Sequence, residues 1–491
     1  MTVDAATVAT AQRLRWIPSK WLVLRSNACA GCGMCVRVCP TEVHARRPGF
    51  NTMEPPDHHR CVGPECAGTE ASCVAQCPTH ALAVIENPER SCLGDRFWTD
   101  DLLLATFDMA ETGRAPEVPY ELSMGRSGGG FDRMRLRLQD APAISPADVD
   151  LTLRLNRRGR GAQIELPMPI YGGGMSYGSV SLNVMMARAR AAQQLGTFTC
   201  TGEGGYPDAL VPYGRHVITQ VATGLFGVKE ETIQRARIVE FKYAQGAKPG
   251  LGGHLLGDKV TEEVADMRQS IPGRSLFSPF PFHSVYSVED HKKHIDWIRA
   301  TNPDALISVK VSTPSDVDMV AVGSYYAGAH IVHIDGGYGG TGAAPDIAKK
   351  NIAMPVEYAI PKTHDFLARE GVRDEVTLMA SGGIRSAWDV AKAIALGADG
   401  VVIGTAELVA IDCVRCRNCE SGRGCPRGIA TTDGDLKDMV EVEWGAERIV
   451  NMYTAWQAQL REILARLGLR SVAALRGRTD LLEHLDFTEA R

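Results

Sequence analysis

The stretch "HIVHIDGG", residues 330–337, sets three β-branched apolar residues among two histidines and an aspartate and then stops at two glycines. A strand buried on both faces reads in this way, as a short apolar run closed by a turn signal. The same texture recurs on both sides of it. Counting from residue 168, the runs are "MPIYGGGMS" (168–176), "TFTCTGEGG" (197–205), "IVEFKYAQG" (238–246), "SLFSPF" (275–280), "ALISVKV" (305–311), "HIVHIDGG" itself, "VTLMASGG" (376–383) and "GVVIGT" (400–405). Between them lie amphipathic stretches such as "SLNVMMARARAAQQLG" (181–196), "DKVTEEVADMRQS" (258–270), "SVEDHKKHIDWIRAT" (287–301) and "SAWDVAKAIALGA" (386–398). Eight runs alternating with helices predict an α/β fold of the (β/α)8 barrel type, with its site at the C-terminal strand ends. A doubly wound sheet is the alternative. It lacks support, because no GxGxxG follows a first strand with an acidic residue about 20 positions on.

The barrel does not account for the whole chain. At 491 residues the sequence exceeds one ordinary core, so smaller parts are expected beside a large domain. The reading divides it at 1–85, cysteine- and proline-rich; 86–160, an irregular connector with one helix near "TDDLLLATFDMAET"; 161–411, the barrel; 412–430, a second cysteine-rich loop; and 431–491, a helical tail. Hydrophobic content of 44% and 23% charged residues fit a globular protein. A net charge of −5 gives no electrostatic case for nucleic acid. No apolar run approaches the roughly 20 residues of a membrane span, and the start "MTVDAATVATAQRLRW" lacks a signal peptide's apolar core, so a cytoplasmic protein is expected.

Cysteine carries the chemistry. Of fourteen, eight lie between Cys29 and Cys77 and four between Cys413 and Cys425, leaving only Cys92 and Cys200 apart. In a cytosolic chain, two such clusters point to metal rather than disulfides. "CAGCGMCVRVCP" spaces Cys29, Cys32, Cys35 and Cys39 as in bacterial ferredoxins, with a proline after the last. There the fourth cysteine serves the other cluster, so a second run is required. "CVGPECAGTEASCVAQCP" supplies it through Cys61, Cys66, Cys73 and Cys77, at stretched spacing. The expected sets are Cys29, Cys32, Cys35 and Cys77 for one [4Fe–4S] cluster, and Cys61, Cys66, Cys73 and Cys39 for the other. Structural zinc at the C-x2-C pairs is the competing reading, opposed by the two C-x3-C-P endings.

Seven further pieces carry a resemblance: "GGGMSYGSVS", "LGTFTCTGEGG", "YAQGAKPGLGGHLLGDKV", "SVYSVED", "GGYGGTGAAP", "SGGIRSAWDVAKAIALGAD" and "CPRGIATTD". In that order they resemble the FMN-binding synthase domain of glutamate synthases, over residues 168–433. With a ferredoxin-like start and no other domains, the chain looks most like the stand-alone, archaeal-type form. The resemblance implies FMN held at the loops after the sixth, seventh and eighth runs: Gly339, Gly340, Thr341, Ser381, Gly382, Gly383, Gly404 and Thr405. Backbone N–H groups freed by glycine suit its phosphate. Met175 and Ser176 are expected at the isoalloxazine edge through their backbone. Thr201, Gln245 and Lys310 are expected to reach it with side chains, Lys310 stabilising negative charge on the reduced ring. Gly202, Gly204 and Gly205 are expected to let the chain pass close to the flavin. Glu203 would then face the substrate or the ammonia inlet, in proton handling or gating.

The substrate implied is 2-oxoglutarate, a dianion that needs fixed cations and donors. Carried over by position, its set is Gln245, Lys248, Arg268 and Ser287, with His254 where the family usually has glutamine. Phe280, Phe282 and Ser284 also depart from the family's Pro, His and Asp. At "CVRCRNCESGRGCPRG", larger glutamate synthases use three cysteines for a [3Fe–4S] cluster. Cys413, Cys416, Cys419 and Cys425 offer four thiolates here, enough for [4Fe–4S], and both types stay open. The implied reaction is reductive amination: ammonia and 2-oxoglutarate form 2-iminoglutarate, and electrons relayed through the clusters to FMN reduce it to L-glutamate. The chain has no N-terminal cysteine nucleophile and no nucleotide fingerprint. A separate glutaminase-type subunit, other glutamate synthase subunits, and ferredoxin or an NAD(P)H-oxidising donor are therefore expected in a hetero-oligomer. The alternatives are a related enzyme acting on another oxo-acid or amine, N-methylglutamate synthase-like, and a non-catalytic electron-transfer subunit.

Overall fold

The computed structural model describes residues 16–486 except 117–129, 278–284, 343, 345, 346, 350, 421 and 422. It forms two compact units, Met1–Asp95 and Arg96–Arg491. The departures at Phe280, Phe282 and Ser284 fall outside the described residues.

In the first unit, strand Trp21–Arg25 pairs antiparallel with Leu82–Glu86. Val23, Val43, Cys73 and Leu82 make a small core, against which Cys35, Cys39, Cys61 and Cys77 pack. The two Cys-Pro-Thr segments repeat one local design. Val43 N–H points at Cys39 Sγ (3.4 Å) with Thr41 Oγ1 at 3.6 Å, and Ala81 N–H points at Cys77 Sγ (3.3 Å) with Thr79 Oγ1 at 3.7 Å.

The second unit is built on eight parallel strands: β1 Ile170–Gly172, β2 Thr199–Cys200, β3 Val217–Ala222, β4 Ile238–Lys242, β5 Leu306–Ser312, β6 Ile331–Asp335, β7 Thr377–Ser381 and β8 Gly400–Ile403. Going round, β1 is followed by β8, β7, β6, β5, β4, β3 and β2. Gly172 N–H donates to Phe198 O at 2.8 Å and Gly174 bridges Cys200, which closes the ring between β1 and β2. The result is a (β/α)8 barrel. Tyr171, Ile218, Ile238, Leu306, Ile331, Met379 and Val402 fill its lower interior, all almost fully buried. The pair Leu153–Arg154 and Glu165–Leu166, which precedes β1, adds Leu153 and Leu166 to that core.

Two strands differ from the sequence reading. Leu276–Phe277 of "SLFSPF" is not in the barrel: it pairs antiparallel with His254–Leu255 in an excursion after β4. The missed strand is β3, whose Gln220 and Thr219 interrupt an otherwise apolar run and disguise it. The two errors cancel in the total of eight.

The helices follow their caps. Ser181 Oγ accepts from Val184 N–H to start Leu182–Leu195, which ends at left-handed Gly196 (φ 67°). Ser386 starts Ala387–Ala395 in the same way. Helix Asp100–Thr112 buries Leu102, Leu103, Phe107 and Met109 in the second unit. There it packs against the long helix Val442–Arg466, whose Trp456 is fully buried. Among the described residues, no helix is long and apolar enough to cross a membrane.

Candidate active site

The C-terminal mouth of the barrel gathers an unusual number of buried charges. Lys242 and Lys310 face each other in register at the ends of β4 and β5. Lys242 Nζ donates to Gln245 Oε1 (2.6 Å) and pairs with Glu203 Oε1 (3.2 Å). Lys310 Nζ lies 3.4 Å from Asp335 Oδ2, which also accepts from Gly246 N–H at 3.0 Å. Burial alone would lower the Lys310 pKa, but Asp335 and Glu240 raise it above the usual lysine value. Lys310 is thus a fixed positive charge.

Arg268 is drawn in from helix Glu262–Arg268 and is only 6% exposed. Its Nη2 donates to Ser176 Oγ and Tyr177 O, each at 2.9 Å, whereas its buried Nε has no partner. Such an unmatched guanidinium donor is costly unless something accepts from it. Burial lowers its pKa and Glu203 opposes the shift. Lys248 is also buried: desolvation and Lys242 bring its pKa down to about 8, against Glu203 and Glu420. His254 stacks on Phe277 at 4.5 Å, with its pKa lowered by burial and then by Lys248. Glu203, Gln245, Lys248, His254 and Arg268 therefore interact within one neighbourhood. Ser287 is different: it is exposed, and its hydroxyl caps helix Val288–Thr301 by accepting from Asp290 N–H.

The expected flavin residues divide likewise. Met175 and Ser176 are partly open, in the loop after β1. The Thr201 hydroxyl, by contrast, accepts from Gln220 N–H (3.1 Å) and donates to Gly202 O (2.9 Å). Gly202 has φ 70°, and a Cβ there would stand 2.5 Å from Ser176 N. At Gly204 (φ 105°) a Cβ would meet the Arg268 guanidinium at 2.8 Å, and at Gly205 Met267 at 2.6 Å. The "TGEGG" glycines thus let loops of this chain close on one another, placing Arg268 and Glu203. Ser381 ends β7, and Gly382 (φ 93°) and Gly383 (φ 114°) turn the chain. Gly404 begins helix Thr405–Ala410, and a Cβ on it would meet nothing within 4 Å, leaving an open cradle above β8. Gly340 lies against Thr405, and a Cβ at Gly342 would stand 3.0 Å from Cys419 Cβ. The glycine loop after β6 therefore touches both the β8 helix and the second cysteine loop.

That loop holds Cys413, Cys416, Cys419 and Cys425, all free thiols. Asp412, Arg415 and Arg417 adopt left-handed φ values of 76°, 60° and 65°, winding the chain tightly. Lys259 Nζ ties it down through Cys419 O (2.5 Å) and Glu420 Oε1 (3.2 Å). Burial pushes the Cys413 thiol up to about 12, with Cys419 and Cys425 adding to the rise. In the first unit, Cys29 and Cys32 act on Cys35, and Cys39 and Cys66 act on Cys61. Burial pushes Cys73 up to about 11, with Cys39, Cys66 and Cys61 contributing. Three of the four thiols of one expected set, and all four of the other, are thus mutual neighbours. Among the described residues, no three His, Cys, Asp or Glu side chains converge as on a single metal ion.

Sequence reasoning missed Lys242, Gln220, Glu240, His333 and Asp335, although each is a polar residue set inside a buried run. That contrast was the available signal.

A closed parallel barrel with buried cations and an open glycine cradle at its C-terminal mouth defines a (β/α)8 enzyme. The family model described as the conserved region in glutamate synthase matches residues 133–470. The archaeal-type glutamate synthase (NADPH) of Thermotoga sp. strain RQ2 is 36% identical over 502 residues, covering 97% of this chain and 96% of that one. The archaeal glutamate synthase (NADPH) of Methanocaldococcus jannaschii is 44% identical over 316 residues, covering 64% and 62%. Among solved structures, a mutant flavocytochrome b2 with pyruvate bound is similar at a TM-score of 0.47 and 14% identity, over 79% of this chain and 85% of that one. The chain belongs to the glutamate synthase family, and with it to the oxidoreductases.

Proposed function

We propose that this chain is the synthase subunit of a glutamate synthase, converting 2-oxoglutarate and ammonia through 2-iminoglutarate to L-glutamate in the cytoplasm. The observation that carries the reading is the orphaned Nε of buried Arg268, which shares the Glu203 carboxylate with Lys242 and Lys248 as charged neighbours. A dicarboxylate would satisfy it. Lys248 and Arg268 would bind the two carboxylates, and Gln245 and His254 would orient the carbon that becomes the amine-bearing centre. Glu203, paired with Lys242, would hold or pass a proton at the condensing amine. Ser287 carries less of the binding, since its hydroxyl already caps a helix.

FMN fits the mouth on two grounds: the open cradle at Gly404 and the fixed charge of Lys310. Its phosphate would lie on the backbone of Gly382, Gly383, Gly404 and Thr405, with Gly339, Gly340 and Thr341 flanking, and its ring beside Met175, Ser176 and Lys310. Thr201 would approach through its remaining acceptor capacity. When bound, FMN supplies the hydride. For iron–sulfur clusters, the thiol sets Cys29/Cys32/Cys35/Cys77 and Cys39/Cys61/Cys66/Cys73 would each hold a [4Fe–4S] centre, and Cys413, Cys416, Cys419 and Cys425 a third. Thiols that are neighbours without meeting at one point suit a cubane, which is larger than a single ion. The N–H groups of Val43 and Ala81 aimed at Cys39 and Cys77 suit bound thiolates. Partner subunits would supply ammonia from glutamine, and ferredoxin or an NADPH-oxidising subunit the electrons.

The test is anaerobic turnover of the purified chain with a reduced donor and 2-oxoglutarate. High ammonium should yield glutamate, and glutamine alone should not. Methylamine turning over far better than ammonium would displace this reading in favour of an N-methylglutamate synthase-like enzyme. No turnover with any oxo-acid would leave the electron-transfer role.

A further inference from the structure

A string of buried polar groups runs beneath the barrel mouth, across five strands, and the reaction above uses only its last member, Lys310. Glu240 on β4 is 1% exposed and accepts from Gln220 Nε2 (2.7 Å), Ser308 Oγ (3.1 Å) and His333 Nδ1 (3.0 Å). His333 on β6 is 0% exposed, and its Nε2 lies 2.7 Å from Ser381 Oγ. Ser381 Oγ in turn donates to Asp335 Oδ1 at 2.6 Å, and Asp335 Oδ2 holds Lys310 Nζ.

Counting hydrogens along this string fixes its charges. Glu240 takes a hydrogen from Gln220 Nε2 on one carboxylate oxygen and from Ser308 Oγ on the other, so Glu240 is an acceptor only. Nδ1 of His333 must then carry a hydrogen. Asp335 is desolvated, yet the Lys310 ammonium and the Gly246 N–H, both at its Oδ2, hold it below the usual carboxylate range. It too can only accept, so the single hydroxyl hydrogen of Ser381 goes to Asp335. Ser381 is left to accept from Nε2, which must also carry a hydrogen. Cys200, 4.0 Å from Glu240, brings no charge, since burial pushes its thiol up to about 12. Buried Tyr171 stays neutral for the same reason. The string thus balances two cations, Lys310 and His333, against two carboxylates.

We propose that His333 is a buried imidazolium that orients the Ser381 hydroxyl onto Asp335 and so fixes the Lys310 ammonium at the barrel mouth. His333 and Ser381 are positioning residues for Lys310. This assigns the Ser381 side chain to the protein interior, leaving only its backbone for a cofactor. The use of Lys310 toward a flavin rests on the function proposed above. The charge of His333 does not, and is read without flavin.

The test is histidine-selective 15N NMR of the full chain across pH 6–9.5. His333 should still show both nitrogens protonated at pH 8.5, where an ordinary imidazole of pKa about 6.5 is neutral by roughly a hundredfold. Its resonance is the one lost in His333→Asn; if that variant does not fold, the milder Ser381→Ala locates it by its shift. Ser381→Ala should lower the His333 protonation constant at least tenfold, and Ser381→Thr, which keeps the hydroxyl, should restore it. A neutral His333 at pH 8.5, or a titration unmoved by Ser381→Ala, would overturn the proposal. In flavin-loaded protein, Ser381→Ala should reduce the preference for reduced over oxidised FMN about tenfold, and an unchanged preference would overturn the link to Lys310. A chain that binds no flavin would refute the functional reading instead, with the His333 titration still standing.

Discussion

Replacing Arg268 by alanine tests the substrate reading most directly. The side chain is 6% exposed and spends two donors on Ser176 Oγ and Tyr177 O, both from Nη2 at 2.9 Å. That leaves buried Nε and its charge for a ligand. One charge-assisted contact to a carboxylate is worth roughly 1.5–3 kcal/mol, which is about tenfold to 150-fold in affinity. Arg268→Ala should weaken 2-oxoglutarate binding by that factor, read as oxo-acid-induced change in the flavin absorption spectrum. Arg268→Lys keeps the charge without the planar fork and should fall between. Flavin content is measured alongside, because Arg268 holds Ser176 and Tyr177 in the loop after β1 and Ser176 is assigned to the ring edge. If both variants bind the oxo-acid as tightly as the parent, Arg268 is a structural tether for that loop, and the dicarboxylate site lies elsewhere.

Lys248 adds a pH dependence. With its pKa lowered to about 8 by burial and Lys242, its ammonium is present below that pH and lost above it. Affinity for 2-oxoglutarate should fall between pH 7 and 9.5, and Lys248→Met should flatten the profile. Glu407 bears on stability: it pairs with Arg188 at 2.7 Å and accepts from Tyr453 Oη at 2.8 Å, with both charged side chains under 5% exposed. Glu407→Ala leaves Arg188 unpaired and should cost about 3–5 kcal/mol in denaturant unfolding. Metal analysis should find about twelve iron atoms per chain, from three cubanes. A paramagnetic three-iron signal in anaerobically prepared protein would instead remove Cys416 from the third set, and zinc in place of iron would refute all three.

The fold was legible wherever burial erased the alternation of polar and apolar residues. "HIVHIDGG", "ALISVKV" and "GVVIGT" are buried on both faces and read as such. Reading failed at β3, where the adjacent polar pair Thr219 and Gln220 splits a six-residue run, and where an apolar pair such as Leu276–Phe277 belonged to an excursion. Phe277 is 72% exposed, so hydrophobicity there marks no core. Local composition cannot separate these cases, because the burial that decides them comes from strands elsewhere in the sequence.

The same limit explains which site residues were found. Arg268 and Lys248 were legible through a resemblance of motifs, but their neighbourhood depends on Gly202 and Gly204, whose φ values of 70° and 105° bring two loops together. The "TGEGG" glycines were expected to make room for a flavin. They make room for Ser176 and the Arg268 guanidinium. Glu240, His333 and Asp335 escaped notice because each, taken alone, is a polar residue interrupting a buried run. Only the closed ring, which sets β4, β5, β6 and β7 side by side, turns them into one hydrogen-bonded string. A lone charge inside a strand buried on both faces must be matched from an adjacent strand or be expelled. Three such runs in one barrel, carrying Glu240, Lys310 and Asp335, therefore imply a shared network before any coordinate is known. Here that network ends at the lysine of the barrel mouth.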